Sequence, residues 1–227
     1  QSVGTVPTDV RRWNVNLLAI AGHKCLLGPT GIGALYVSPR VYDPDTHTDR
    51  MDTLRQGGTG TDATNPDMPD ALPTHYESGT LNTVGLAGLL AALDATDGMH
   101  NAILEHERAL VQRMIDALRD DPRLTLAYPD TPERTGVLSF AVRDADAHEV
   151  ATVLDQHFNI TVRAGLHCAP WAHETLGTTD AGMIRVSPGW KTTEDEIDTF
   201  LRALREVLDE LVGAPPTSES KSLMPDA

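Results

Sequence analysis

Two segments of the sequence each place a nucleophilic side chain directly after an apolar run. The first is Gly22-His23-Lys24, where the lysine follows the run at 15–21 and is surrounded by glycines and apolar residues. Burial of a lysine disfavours its ammonium form, and a neutral amine can form a Schiff base with a carbonyl group of a substrate or cofactor. A lysine whose amine extends from a loop into solvent is also consistent with this pattern.

The second segment contains Cys168, which follows a predicted strand ending at Arg163 and a glycine turn. A thiol on such a loop can be accessible, and a neighbouring Arg or His favours its thiolate form. The alternative is that Cys168 is a small buried apolar residue, as many free cysteines are. His and Cys side chains occur near both nucleophiles, but their spacing matches no zinc motif, so we expect no metal site.

Arg185 is a charged residue inside the apolar strand pattern at 183–187. A charge in a buried strand needs a partner, and a guanidinium can hold a carboxylate through two parallel hydrogen bonds. The side chain could instead point outwards from a strand that alternates between two faces. The pattern leaves both interpretations open.

The elements that must position these residues fall into two groups, of which the first occupies 1–97. Apolar runs at 15–21 and 32–37 predict two buried strands. The segment 39–80 is polar and has no periodicity, which is typical of functional or disordered loops. Leucines and alanines at 82–96 then predict a helix.

The second group, 98–213, has the pattern of a complete α+β domain. A Thr193-x-x-Glu196 capping box followed by a stripe of apolar residues predicts a long last helix, which Gly213 ends. The last residues, 214–227, are polar, and we expect them to be disordered. Further helices are predicted at 100–120 and 146–158, and strands at 124–128, 136–142, 160–163 and 183–187.

The composition limits the classes of partner. The chain has 33 Asp and Glu against 18 Lys and Arg, which gives a formal net charge of −15. Such a surface repels phosphate backbones and anionic lipids, so we expect neither nucleic-acid nor membrane binding. No uncharged apolar run approaches the about 20 residues that a membrane span needs, and the chain opens with no secretion signal.

The kinds of charge and the cysteine content indicate an environment. Asp accounts for 22 of the acidic residues, and Lys for only 3 of the basic ones. This balance predicts a halophilic protein, because salt screens the repulsion among the acids; an ordinary acidic cytosolic protein is the alternative. The 2 cysteines give no disulfide framework and are typical of a reducing compartment, so we expect a cytoplasmic location.

The order and spacing of five segments carry a resemblance to a known family. The chain resembles the cysteine desulfurases, within the class V aminotransferase family of pyridoxal-phosphate enzymes, from Gln1 to about Leu211. The resemblance implies an α/β fold of the aspartate aminotransferase-like transferase type. It also implies that 1–97 is the C-terminal part of a large cofactor domain and 98–213 the small domain. The five segments are AGHKCLLGPTGIGALYV, GGTGT, YESGTLNTVGLAGLLAAL, RAGLHCAPWAHETLGT and GMIRVSPGWKTTEDEID.

The resemblance implies roles for four residues of the first group. Lys24 matches the lysine that holds pyridoxal 5'-phosphate as an internal aldimine, and His23 matches a histidine that contacts the cofactor's phosphate. Gln1 matches the glutamine that hydrogen-bonds the phenolic oxygen of the cofactor. Thr80 matches the threonine that reaches the phosphate of the neighbouring subunit, which implies a homodimer.

The remaining roles concern the reaction. Cys168 matches the cysteine that takes sulfur from L-cysteine as a persulfide while L-alanine is released. Arg185 and Arg163 match arginines that hold the substrate carboxylate. The resemblance further implies a sulfur-acceptor protein, in iron–sulfur cluster assembly. Family members extend much further on the N-terminal side, and that part supplies an aspartate, an aromatic residue and a phosphate-binding turn for the cofactor.

Two alternatives differ from this interpretation in their chemistry. Another class V aminotransferase or a selenocysteine lyase would keep the fold and the cofactor, and a transaminase needs no thiol at Cys168. A truncated, inactive remnant would act only as a binding module. Lys24 separates this last alternative from the others, because a remnant needs no Schiff base.

Overall fold

A computed structural model of the chain describes residues 1–41, 51–53 and 55–215. The chain divides into two compact units, Gln1–Asn101 and Ala102–Ala227, called here the N-terminal and the C-terminal unit. Within the described residues, no helix is long and apolar enough to cross a membrane. The tail at 214–227, which we predict to be disordered, lies almost entirely outside these ranges. Part of the loop predicted at 39–80 also lies outside them.

The N-terminal unit contains a two-stranded antiparallel sheet and one long helix. Strands β1 (Leu17–Ala21) and β2 (Gly33–Val37) pair along their whole length. A 3-10 helix at Thr74–Tyr76 precedes helix α1 (Thr83–Thr96). The side chain of Asn82 caps α1 by accepting from the backbone N–H of Gly85 at 2.9 Å, so the helix predicted at 82–96 is confirmed.

The predicted burial of the two strands is wrong for this chain. Leu17 and Leu35 are each more than two-fifths exposed, and the other residues of β1 and β2 are exposed or half-buried. An apolar run is buried only where further layers cover both faces of its sheet. The described residues supply no such layers for β1 and β2.

The C-terminal unit is built on a four-stranded antiparallel sheet with the strand order β3-β4-β6-β5. Three long helices, α2, α3 and α5, contribute the remaining buried residues of one hydrophobic core. The elements are α2 (His100–Leu118), β3 (Leu124–Leu126), β4 (Leu138–Val142), α3 (Ala147–Phe158), β5 (Arg163–Gly165), α4 (Pro170–Leu176), β6 (Met183–Val186) and α5 (Glu194–Leu211).

Helix α5 shows how local sequence sets an element. Its capping box is reciprocal: the Thr193 hydroxyl accepts from the Glu196 N–H at 3.2 Å, and the Glu196 carboxylate accepts from the Thr193 N–H at 2.7 Å. Its apolar stripe is buried from Ile197 to Leu208. The box satisfies two N–H groups that the helix leaves unpaired, and the predicted helix is confirmed.

The strand predicted at 160–163 lies further along the chain. Asn159 ends α3 in the left-handed conformation, with φ at 55°, and residues 160–162 run from this cap to the sheet without pairing. Pairing starts at Arg163, which lies opposite Arg185 of β6. The apolar residues Ile160 and Val162 pack against the core instead, which explains why their pattern resembles that of a strand.

A buried arginine joins the segment before β3 to the C-terminal end of α5. The Arg123 guanidinium donates to the Asp121 carboxylate at 2.7 and 2.9 Å and to the carbonyl of Gly213 at 3.0 Å, and it also pairs with Asp209. The hydrogen bonds from Arg123 lower the pKa of Asp121. The residues after α5 are thereby fixed to the start of β3.

Candidate functional site

The predicted cofactor lysine lies in a tight turn that follows β1. The turn is closed by the N–H of Leu27, which donates to the carbonyl of Lys24 at 2.9 Å, and by that of Gly28, which donates to Gly22 at 2.9 Å. Both His23 and Lys24 are exposed. Of the two interpretations that the sequence leaves open for Lys24, the structure therefore agrees with the lysine that extends from a loop into solvent.

Gln1 is held near this turn by the segment that it begins. Gly4 has φ of 105° and approaches the turn so closely that a Cβ there would lie 2.6 Å from the carbonyl oxygen of Cys25. Only glycine fits this contact. The exposed Gln1 lines a cleft of about 980 Å³ over β1 and β2.

Thr80 is exposed and comes two residues before the N-cap of α1. The Asn82 side chain donates to the carbonyl of Gly31 at 3.3 Å, and Gly88 of α1 packs on Pro29. The start of α1 is therefore anchored to the loop that follows the Lys24 turn. The contacts of Gly4 and Asn82 thus link the segments that carry Gln1 and Thr80 to the turn that carries His23 and Lys24, and to the loop after it.

The predicted sulfur-accepting cysteine lies on an exposed loop of the C-terminal unit. Arg163, the first residue of β5, donates from Nη2 to the Sγ atom of Cys168 at 3.1 Å, and Cys168 lies on the loop that follows this strand. His167 and Cys168 both have positive φ, 54° and 59°. Non-glycine residues in this conformation are strained, and such strain is concentrated at functional sites. The loop thus presents the thiol to solvent and to a guanidinium at once.

Two imidazoles lie on the same loop and the helix after it. The ring of His167 lies 5.3 Å from that of His173, and His167 Nε2 lies 3.0 Å from the carbonyl oxygen of Arg163. Burial lowers the pKa of His167 more than the contact with the Arg163 carbonyl raises it, and the positive charges of Arg185 and Arg163 lower it further. The lowered pKa disfavours a charge on the His167 ring, so the arginines supply the positive charge beside the thiol.

Arg185 lies directly across the sheet from Arg163. Like charges at opposite positions repel each other, so an anion between or beside the two guanidinium groups would stabilise this pair. The Arg185 Nε atom is buried and, among the described residues, has no hydrogen-bond partner. An unpaired buried donor is costly, and a ligand carboxylate or a sulfur anion is the kind of group that would satisfy it.

Sequence reasoning missed helix α4, which begins two residues after the cysteine. Pro170 at its first turn and Gly177 in the left-handed conformation at its end bracket the helix, and this pair of signals could have identified it. The helix carries His173, which is buried and bonds the Thr178 hydroxyl at 2.9 Å. In the described part of the chain no group of three His, Cys, Asp or Glu side chains could hold a metal ion.

The chain is similar to proteins of one family. The family model for aminotransferase class V matches residues 1–200. A probable cysteine desulfurase of Pyrococcus abyssi is 34% identical over 220 residues, covering 93% of this chain and 51% of that protein. A cysteine desulfurase of Pectobacterium atrosepticum is 33% identical, covering 91% of this chain and 49% of that protein. The chain thus spans about half the length of these relatives.

Solved structures give the same result for the fold. The apo structure of a cysteine desulfurase from Thermococcus onnurineus NA1 has a TM-score of 0.80 at 31% identity, covering 93% of this chain and 51% of that one. A cysteine desulfurase from Escherichia coli, in its S-sulfonic acid form, has a TM-score of 0.79 at 27% identity, covering 93% and 50%. The α/β fold of pyridoxal-phosphate-dependent enzymes that the sequence predicts is confirmed.

Proposed function

Because the chain belongs to the class V aminotransferase family, we propose that it serves a cysteine desulfurase reaction in which Cys168 receives the sulfur of L-cysteine. The observation that carries the proposal is the contact of 3.1 Å between Arg163 Nη2 and Cys168 Sγ on an exposed loop. A guanidinium beside a thiol favours the thiolate, which is the nucleophilic form. A transaminase has no use for this arrangement.

The residues of the N-terminal unit have the chemistry that pyridoxal phosphate requires. An exposed amine at Lys24 is available for a Schiff base, and the His23 ring, the Gln1 amide and the Thr80 hydroxyl can bond a phosphate or a phenolic oxygen. Lys24, His23 and Gln1 would hold the cofactor of their own chain, and Thr80 would reach the phosphate of the partner's cofactor. When bound, pyridoxal phosphate supplies an electron sink for carbanion chemistry at the substrate Cα.

The roles of the protein side chains in this proposal follow from their chemistry. Lys24 Nζ accepts and returns a proton at the substrate carbon atoms. Arg185 binds the substrate carboxylate through its unpaired donor. The Cys168 thiolate attacks the sulfur of L-cysteine, the Cβ–S bond breaks, and its electron pair stays on Cβ, which takes up a proton. The products are L-alanine and a persulfide on Cys168, and no oxidant or reductant is consumed.

Arg163 differs in this proposal from the role that the family resemblance implies. Its guanidinium contacts the thiol directly, so it stabilises first the thiolate and then the persulfide anion. The neutral His167 beside it is available to accept the thiol proton. The exposure of Cys168 leaves the persulfide open to a sulfur-acceptor protein.

A homodimer is part of the proposal, because Thr80 would act on the partner's cofactor. Exposed apolar side chains of α1, among them Val84 at 82% and Leu90 at 59%, lie close to Thr80 in sequence. Such a surface is typical of an interface. Sedimentation of the chain at several concentrations, with and without pyridoxal phosphate, tests this part of the proposal.

The decisive comparison uses the two cysteines of the chain. With pyridoxal phosphate and L-cysteine, Cys168→Ser should abolish the release of alanine, whereas Cys25→Ser should leave it unchanged. Equal activity of the two variants contradicts the proposal. Activity of Cys168→Ser towards selenocysteine alone would favour a selenocysteine lyase.

Binding of the cofactor has its own pair of variants. Addition of pyridoxal phosphate should give the absorbance band of a Schiff base, and Lys24→Ala should lose it. Lys191→Ala is the matched control, because the Lys191 amine lies over the ring of Trp190, 4.8 Å from its centre, in the other unit. A chain that gives no band before substitution would act as a binding module.

The halophilic environment predicted from the composition also remains a proposal. It is supported by the 22 Asp and 3 Lys residues among the charged groups. The free energy of unfolding should rise between low salt and molar potassium chloride, because screening removes repulsion among the acids. A free energy of unfolding that is unchanged or lower in molar salt contradicts it.

A further inference from the structure

We propose that the C-terminal unit carries a binding site for a phosphate group, separate from the residues discussed above. The site is a cleft of about 460 Å³ between α2 and the loop that joins β3 to β4. Its charged lining consists of Arg108, Arg119, Arg134 and Asp130. The cleft therefore carries a net positive charge although the chain as a whole has a net charge of −15.

Two of these arginines are oriented by backbone carbonyl groups. Arg108 Nε donates to the carbonyl of Arg134 at 2.6 Å. Arg134 Nη2 donates to the carbonyl groups of Pro129 at 2.6 Å, Thr131 at 2.9 Å and Tyr128 at 3.2 Å. Carbonyl groups fix the planes of the two guanidinium groups, but they carry no net charge.

Donors remain free on both side chains. In the described part of the chain, neither Nη atom of Arg108 has a hydrogen-bond partner, and neither Nε nor Nη1 of Arg134 has one. Neither side chain forms an ion pair with a described carboxylate. Preoriented guanidinium groups with unused N–H donors are suited to an oxyanion, which accepts in the same fork geometry.

Arg113, five residues further along α2 than Arg108, shows the opposite arrangement. It donates to both oxygens of Asp198 at 2.7 Å and lies 3.3 Å from Glu194. An arginine of α2 can therefore pair with carboxylates of α5, as Arg113 does. The lack of such partners at Arg108 and Arg134 leaves their positive charge for a ligand.

The charge of the cleft selects the class of ligand. Arg119 is paired with Asp130 through a longer contact of 3.3 Å between two exposed side chains, so three cations and one carboxylate leave a charge of about +2. A phosphate dianion matches this charge, whereas a single carboxylate neutralises half of it. The volume exceeds that of a phosphate alone, so either free phosphate or a phosphate monoester fits the cleft.

Calorimetric titration of the full chain tests the proposal, with sodium phosphate, glycerol 3-phosphate and sodium acetate as probes at constant ionic strength. Phosphate or the monoester should bind, and Arg108→Gln should weaken that binding about tenfold or more, because a charged hydrogen bond is lost. Arg113→Gln removes the same charge from a paired position and should change the affinity less than twofold. Tighter binding of the monoester than of phosphate identifies the larger ligand as the natural one.

A second variant gives a gain of binding that loss of folding cannot mimic. Asp130→Asn removes the carboxylate that repels the anion and frees Arg119, so the affinity should rise several-fold. Three results overturn the proposal: no heat of binding with either phosphate probe, equal losses in Arg108→Gln and Arg113→Gln, or weaker binding by Asp130→Asn. Binding of acetate as tight as that of phosphate overturns the assignment of the ligand class.

Discussion

The two units of the chain differ in how far their apolar side chains are buried. Among the residues that the structure describes, every fully buried apolar side chain belongs to the C-terminal unit. In the N-terminal unit the buried non-glycine side chains are those of Thr5, Ser38, His75 and Thr96. Both units have regular strands and helices, so hydrogen-bonded secondary structure forms in each, but a core closes in only one.

The same difference is visible when helix α1 is compared with helix α5. In α5 the apolar residues form one stripe, and that stripe is buried against the sheet and α3. In α1 leucine, valine and alanine occur around the whole circumference, and Leu86, Leu90 and Leu93 are exposed. A helix that is apolar on all sides is stable when it is surrounded. The exposed apolar surface of α1 is of the kind that is typical of an interface.

The largest change in the free energy of unfolding is expected when the charge network around Arg123 in the C-terminal unit is removed. Arg123→Met leaves Asp121, which is largely buried, without its partner and should lower the free energy of unfolding by about 3–5 kcal/mol. Arg113→Met removes an exposed ion pair and should cost less than about 1 kcal/mol. Urea unfolding followed by circular dichroism measures both; equal losses would show that burial of the network is unimportant.

The next prediction compares the replacement of one leucine by alanine in each of the two units. Leu204→Ala, at a side chain with no exposed surface, should lower the free energy of unfolding by about 2–5 kcal/mol because it opens a cavity. Leu90→Ala should change it by about 0.5 kcal/mol or less, as at other exposed positions. A large loss from Leu90→Ala would mean that α1 is already covered, for example by a second copy of the chain.

The smallest expected effect concerns His167 and pH. The pKa of His167 is lowered in the folded chain, so the unfolded chain binds a proton more readily, and stability falls as the pH drops through the ordinary value of 6.5. Replacement by asparagine removes this contribution. Between pH of about 8 and about 5, the wild type should lose more free energy of unfolding than His167→Asn does.

A steeper loss in His167→Asn would contradict the assigned direction of the shift. The fluorescence of Trp171 and Trp190 reports on the C-terminal unit, whereas Trp13 reports on the other one. Single replacement of Trp13 by Phe therefore separates the two signals. With it, the same titration shows whether the pH dependence belongs to the unit that holds His167.

The sequence predicted elements well where local signals and burial agree. The capping box at Thr193 and the apolar stripe after it define α5 without help from the rest of the fold. The apolar runs at 15–21 and 32–37 predict strands correctly but not their burial, because burial depends on layers that a local pattern does not contain. The strand expected at 160–163 shows the converse: residues can pack on a core without pairing.

The candidate site was predictable to a similar degree. The family resemblance carried by the motifs around Lys24 and Cys168 implies the chemistry, and it implies that Arg163 and Arg185 hold the substrate carboxylate. The motifs do not indicate that Arg163 contacts the thiol, because that contact depends on the left-handed turn at His167 and Cys168. They leave open whether Lys24 is buried or exposed, since its surroundings are set by residues distant in sequence.

Direct detection of the persulfide tests the central claim most sharply. The full chain is incubated with pyridoxal phosphate and L-cysteine and is then alkylated and digested. The masses of the peptides that contain Cys25 and Cys168 are measured by mass spectrometry. We predict that the Cys168 peptide gains the mass of one sulfur atom, that the Cys25 peptide does not, and that Arg163→Gln reduces the gain. Sulfur on Cys25 alone, or on both cysteines equally, would contradict it.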